Sequence, residues 1–278
     1  MILVTGAGGK TGRAITEALA GQQEAVRVWV RHPQQVEGLA YSDWIAGDMR
    51  DAPIWDAACK GVRAIYHICP NLHPDEVAIC QLALDAADRA GLQHFVYHSV
   101  LHPQTSTMPH HWRKLQCEEA IFASGLPFTI LQPCAYMQNL LAYWLYITEQ
   151  GIYPAPYGLD ARLSLVDLSD VAAAAARVLT EAGHTSAIYE LSGPQPLSAR
   201  EIARYLSASL GRPVQALRVE WEKWSANARQ QGLGEDATRT LLAMFRYYDR
   251  HGLVGNPNVL GWLLGRKPTT FTDFVSRQ

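Results

Sequence analysis

The first half of the chain alternates between short apolar runs and longer stretches in which apolar residues recur at helical spacing. Ile2 to Thr5 is the first run, and helical spacing follows through Ala14, Ile15, Ala18 and Leu19. Val26 to Arg31, Ser42 to Ala46, Ala64 to Ile68, His94 to Val100 and Phe128 to Leu131 have the same strand character. Helices are expected over Ala52 to Cys59, Pro74 to Gly91 and Pro109 to Phe122, the second opened by a proline and closed by a glycine. Strands alternating with helices predict an α/β fold: a doubly wound parallel sheet with helices on both faces and right-handed crossovers.

The second half is less regular. Met137 to Gln150 reads as one apolar, aromatic-rich helix, Gly151 to Arg162 as a Pro/Gly-rich connection and Leu163 to Val166 as a short strand. An alanine-rich helix begins within Asp167 to Asp170 and ends near Gly183, and Ile188 to Leu191 is another strand. Ser198, with Glu201 three residues on, has the spacing of a capping box. Val214 to Val219 alternates as a strand, and from Trp221 onward the chain is helical and aromatic. The expected domains are a nucleotide-binding domain over 1–150, completed by about 163–192, and a smaller mixed α/β lobe of 193–278 together with 151–162.

Composition narrows the function classes. The 278 residues are 48% hydrophobic and 18% charged, as in an ordinary globular protein. A formal charge of −2 offers no global attraction for nucleic acid, and no apolar run has the length to span a bilayer. The five cysteines lack C-x-x-C spacing and read as reduced thiols in a cytoplasmic protein. The first motif begins at residue 2, so no signal peptide is expected. Seven histidines fall between His67 and His111 without the spacing of a metal site, and no nucleophile elbow is present.

The chemistry-bearing stretch follows the first strand. Gly6, Gly9 and Gly12 are spaced G-x-x-G-x-x-G between a strand and a helix, with Lys10 and Thr11 in the same turn. Gly6 suits the tight turn, Gly9 lets the backbone approach a pyrophosphate, and Gly12 lets the helix pack closely. The helix N-terminus then faces the phosphates with unpaired N–H groups. At the tip of the second strand an acid would select NAD, and an arginine the 2′-phosphate of NADP. The residue there is Arg31, with Lys10 able to reach the same phosphate, so NADP(H) is expected over NAD(H); a solvated strand-end arginine is the alternative. Asp48 and Met49 either flank an adenine ring, or Asp48 caps the following helix. The remaining strand ends are Cys69–Pro70 and Ser99, where ligands of such sheets gather.

With these residues in place, the chain resembles the NmrA-like branch of the atypical short-chain dehydrogenases/reductases over essentially its whole length. The resemblance rests on Val4 to Arg13, Gly47-Asp48, Phe95 to Val100, Gly125 to Pro133 with Tyr136 to Asn139, Asp167 to Ala172 and the ending Leu264 to Phe274. It implies a Rossmann domain and a C-terminal lobe that completes a substrate cleft. The family includes NADPH-dependent quinone and dye reductases, and regulators that bind the dinucleotide without turning it over.

Typical short-chain dehydrogenases place a tyrosine and a lysine one helical turn apart. Here Lys114 matches the lysine, expected to orient the nicotinamide ribose, but His110 stands in the tyrosine's place. His110 is either a proton donor or a helix residue without a role. Pro133 and Tyr136 are expected to flank the nicotinamide. Tyr136, Trp144, Tyr153, Trp221, Trp224 and Tyr248 are candidates to line a pocket for a planar acceptor. Two functions follow: an NADPH-dependent reductase of a small conjugated acceptor such as a quinone or dye, or an NAD(P)-sensing regulator with a protein partner. A homodimer is left open.

Overall fold

The computed structural model describes residues 1–278. They divide into two compact units, described in turn: unit 1 is Met1–Gln104, Arg113–Gln132 and Leu168–Tyr189, and unit 2 is Thr105–Trp112, Pro133–Asp167 and Glu190–Gln278. Residues 133–150, placed in the first domain by the sequence reading, fall in the second of these units.

The elements of the first half are β1 (Ile2–Val4), α1 (Lys10–Gly21), β2 (Val26–Val30), β3 (Asp43–Ala46), α2 (Ala52–Cys59), β4 (Ala64–His67), α3 (Glu76–Arg89), β5 (His94–His98), α4 (Pro109–Ala123) and β6 (Phe128–Pro133). Those of the second are β7 (Ala135–Tyr136), β8 (Ile152–Ala155), β9 (Leu163–Val166), α5 (Leu168–Thr180), β10 (Ala187–Leu191), β11 (Pro196–Leu197), α6 (Ala199–Leu210), β12 (Gln215–Arg218), α7 (Trp221–Gln230), α8 (Glu235–His251), α9 (Asn258–Leu264) and α10 (Phe271–Val275).

Unit 1 is built on a seven-stranded sheet ordered β10-β6-β5-β4-β1-β2-β3. The pairs from β3 to β6 are all parallel, with Ile2 in register with Val26 on one side and Ala64 on the other. The order reverses between β1 and β4, the switch point at which ligands of open α/β sheets bind. The apolar runs become central strands because they are buried on both faces: Ile2, Leu3, Val4, Ile65, Tyr66 and Val96 are fully enclosed. Helix α1 packs on α5, and α2 on α3. Trp29 and Trp55 meet edge to face with ring centroids 4.5 Å apart. Their indole N–H groups donate to Gly47 O at 3.1 Å and Met49 O at 2.7 Å, which fixes the turn after β3. Each buried indole contributes roughly 2–3 kcal/mol.

Unit 2 has its own core, with Met137, Leu140, Ile147, Leu165, Ile202, Leu206, Phe271 and Phe274 at its centre. Its small sheets are β11-β9-β7 and β12-β8. The expected capping box at α6 is present: Ser198 Oγ accepts from Glu201 N at 3.2 Å, and Ser198 N donates to Glu201 Oε2 at 2.9 Å.

Two expectations for this region fail. Met137–Gln150 is not one α-helix but a 3-10 stretch, Met137–Tyr143, followed by a π-turn, Tyr146–Gln150. Three residues per turn put Met137 and Leu140 together in the core, while Leu141 and Leu145 are left exposed. The supposed connection Gly151 to Arg162 contains β8, which pairs in parallel with β12. Pro154 hides this strand in the sequence, yet in a two-stranded ribbon a missing N–H is tolerated.

Candidate active site

The glycine turn has the geometry its spacing implies. Gly6 has φ +62°, in the left-handed region that favours glycine. A Cβ on Gly12 would lie 2.4 Å from Gly6 O and 2.6 Å from Ala7 Cα, so no other residue lets α1 start this close to the turn. Gly9 is the N-cap of α1 and offers no side-chain cap, and no acid lies in the first turn. The positive dipole end of α1 thus carries no acidic side chain, with Lys10 as the first helical residue. Thr5, missed in the sequence reading, closes the switch point: its hydroxyl accepts from Ile68 N at 2.8 Å and donates to Ile68 O at 3.0 Å. Its place immediately before the first glycine was the available signal.

Arg31 is exposed just past β2, and its guanidinium has no hydrogen bond or ion pair; only its backbone N–H is engaged, by Gln35 Oε1 at 3.0 Å. Arg13, by contrast, is committed to backbone, donating to Gln35 O at 2.9 Å and Glu37 O at 3.1 Å. Asp48 does not cap α2; the N-cap is Asp51. The Asp48 carboxylate instead pairs with Arg50 at 2.7 Å and accepts from Arg50 N at 2.9 Å, which holds it well below the usual carboxylate range. Met49 is buried in the same turn.

The carboxyl ends of β4 and β5 look quite different. Cys69 is buried, and burial pushes its thiol far above the ordinary value; Pro70 beside it is half-buried. Ser99 Oγ donates to Glu118 Oε1, and Gln132 Nε2 donates to both oxygens of Glu118 at 2.9 and 3.0 Å. Burial raises the Glu118 carboxyl above its usual range, against the effect of these hydrogen bonds. Lys114 is only 4% exposed, with Nζ 2.6 Å from Glu76 Oε1 and 2.6 Å from His98 O. Burial alone would pull this ammonium down, but the charge and hydrogen bond of Glu76 hold it above its ordinary value. Tyr97 OH also donates to Glu76 Oε1, at 3.2 Å. Ser99 and Lys114, expected to face the cofactor, therefore spend these polar groups inside the protein. Burial lowers both His67 and His98 to about 3, so both are neutral. Glu76, Glu118 and Gln132 were not foreseen; an acid on the buried face of an apolar helix was the readable sign for Glu76.

In unit 2, His110 and His111 are buried with perpendicular rings 6.1 Å apart. Pro133 is buried and Tyr136 half-buried, at the start of the 3-10 stretch. Of the aromatic candidates, Tyr153 and Tyr248 are core residues rather than pocket walls. Trp224 stacks edge to face on Phe245 at 4.7 Å. The cavity within this unit, bounded by 158–162 and 249–254, is lined by none of the six.

A parallel sheet of this order, with a glycine-walled helix start at its switch point, defines a dinucleotide-binding protein of the Rossmann class. The chain belongs to the NmrA-like family, whose profile matches residues 1–275. An NAD(P)H azoreductase of Xenophilus azovorans is 30% identical over 279 residues, spanning 99% of this chain and 96% of that protein. A (4-alkanoyl-5-oxo-2,5-dihydrofuran-3-yl)methyl phosphate reductase of Streptomyces griseus is 34% identical over 248 residues, 87% of this chain and 80% of that one. The crystal structure of an NADPH-dependent quinone oxidoreductase of Escherichia coli in complex with NADPH superposes with a TM-score of 0.88 at 27% identity, covering 100% of this chain and 99% of that one.

Proposed function

We propose that this protein is an NADPH-dependent reductase that delivers hydride to a small conjugated acceptor such as a quinone or dye. The observation that carries the reading is the open anion cradle of unit 1: an uncapped α1 N-terminus, a Gly12 that admits no Cβ, and an exposed Arg31 without an ion pair. These residues fit a dinucleotide. The α1 N–H groups hold the pyrophosphate, and Arg31 with Lys10 holds the 2′-phosphate, which sets the preference for NADPH over NADH. The names of the azoreductase and quinone oxidoreductase relatives agree with this assignment.

Bound NADPH supplies the hydride equivalent. The chain's own task is to orient the dinucleotide and exclude water. Thr5 locks the ends of β1 and β4 together beneath the cradle, and the two tryptophans hold the β3–α2 turn in place. Ser99 donates to Glu118 and Lys114 to Glu76, so neither serves as a general acid. That suits an acceptor whose anion is delocalised after hydride addition and takes its proton from solvent.

The experiment is NADPH oxidation followed at 340 nm with a panel of quinones, azo dyes and triarylmethane dyes. Turnover with at least one acceptor is the expected result. Tight NADPH binding with no oxidation by any of them would contradict the reading and leave a dinucleotide sensor in its place.

A further inference from the structure

The surface of unit 2 carries an open depression of about 710 Å³. Four arginines converge on it from separate segments: Arg162 before β9, Arg200 from α6, Arg218 from β12 and Arg250 from α8. Only two carboxylates, Asp160 and Asp249, join them. The lining therefore has a formal excess of two positive charges, in a chain whose net charge is −2. Fields of one sign add within a concave wall and raise the local concentration of counter-ions.

Three of the four arginines have a carboxylate neighbour, yet all three side chains stay more than two-fifths exposed. Arg200 meets Asp160 at 2.9 Å and Arg218 meets Asp249 at 3.3 Å. Arg162 donates to Pro196 O at 2.7 Å and lies 3.5 Å from Glu201. Arg250 has no ion pair or side-chain hydrogen bond. Arg250 lies in the last turn of α8, where a cation also suits the helix dipole.

The walls are held by close backbone contacts. Leu253 N donates to Arg162 O at 2.9 Å. Gly252, at φ +65°, allows this approach, since its Cβ would fall 2.5 Å from Arg162 O. A Cβ on Gly158 would fall 2.9 Å from Asp249 Oδ1. These contacts tie the backbone at Arg162 to that at Gly252 and Leu253. Leu159 and Val254 supply an apolar part of the lining, and the volume far exceeds that of a bare oxyanion.

From this we infer that unit 2 binds a small organic phosphate monoester, its dianionic head held by the arginine forks and its organic part against Leu159 and Val254. Charge, planar donor geometry and size match that class. The inference does not depend on the reductase reading, because its test is binding.

The test is calorimetric titration of the full-length protein with phenyl phosphate at low salt. Benzyl alcohol and inorganic phosphate serve as the neutral and non-organic probes. Saturable one-site binding of phenyl phosphate is expected, at least fivefold weaker in Arg250→Ala and at least tenfold weaker in Arg200→Ala/Arg250→Ala. Asp160→Asn, which frees Arg200, should tighten it severalfold, a gain that damage to folding would not produce. Benzyl alcohol should not bind, and inorganic phosphate should bind at least fivefold more weakly. Equal affinity in wild type and the double variant overturns the site. Binding that Arg31→Ala abolishes, but the double variant keeps, overturns it in favour of the dinucleotide cradle. Inorganic phosphate binding as well as phenyl phosphate overturns the organic class.

Discussion

Two regions of unit 1 face the same end of the parallel sheet and treat their polar groups in opposite ways. Around the glycine turn α1 has no side-chain cap and Arg31 has no ion pair. At the carboxyl end of β5 they are consumed, Ser99 by Glu118 and Lys114 by Glu76, His98 O accepting a further hydrogen bond from the amine. An uncapped helix start favours negative charge, whereas a closed buried network of polar groups stabilises the fold. The first region thus presents a helix dipole and a cation, and the second a closed network, although the sequence reading assigns residues of both to the cofactor.

The largest test of this contrast is Lys114→Met, which strands the Glu76 carboxylate in the interior. Removing one partner of a buried pair costs about 3–5 kcal/mol, so the urea midpoint should fall sharply. Glu76→Gln/Lys114→Met should recover much of the loss. If Lys114→Met left stability unchanged and weakened only dinucleotide binding, Lys114 would belong with the cradle after all.

Next is Gly12→Ala. With a Cβ placed 2.4 Å from Gly6 O, the turn must shift. A stability loss of roughly 1–3 kcal/mol is expected for such overpacking, with loss of measurable NADPH binding by fluorescence titration. Normal binding would mean that the helix start does not carry the phosphates.

Arg31→Ala should act on binding alone. Loss of a charge-assisted contact worth about 1.5–3 kcal/mol weakens NADPH roughly ten- to hundredfold. NADH should change less than about twofold, and the urea midpoint should hold, since no ion pair is broken.

A separate test, of the buried histidines rather than of this contrast, is in pH. His67 and His98 are lowered to about 3 and His94 to about 4 by burial, while in the unfolded chain each takes up a proton near about 6.5. Below about 6.5 the unfolded state therefore binds more protons, and stability falls by about 1 kcal/mol per pH unit for each histidine. Glu118, raised in the folded state, works the other way above its ordinary value. The urea midpoint should accordingly be flat above about pH 6.5 and decline below it; a midpoint unchanged down to pH 4.5 would show that the histidines are not held neutral.

The same contrast explains what the sequence could reveal. The parallel sheet was legible because Ile2 to Val4 and Ala64 to His67 are apolar runs between helical stretches, and the glycine turn because spacing alone dictates its geometry. The fate of Lys114 was not legible: its partner Glu76 lies 38 positions earlier, on another helix, and only the packing of α3 against β5 and α4 joins them. Ser99 and Glu118 were hidden in the same way. In unit 2, Pro154 concealed a strand, and the apolar run Leu140 to Ile147 concealed a change of helical pitch. The arginine-lined cavity draws on four separate segments and has no local signature.

The most direct test of the central claim is steady-state oxidation of NADPH and of NADH with a quinone acceptor, by wild type and Arg31→Ala. The account predicts turnover with a strong NADPH preference in wild type, and a variant that turns over both cofactors at similar kcat/KM because only NADPH has lost its contact. No turnover with either cofactor, or a wild type indifferent to the 2′-phosphate, would contradict it.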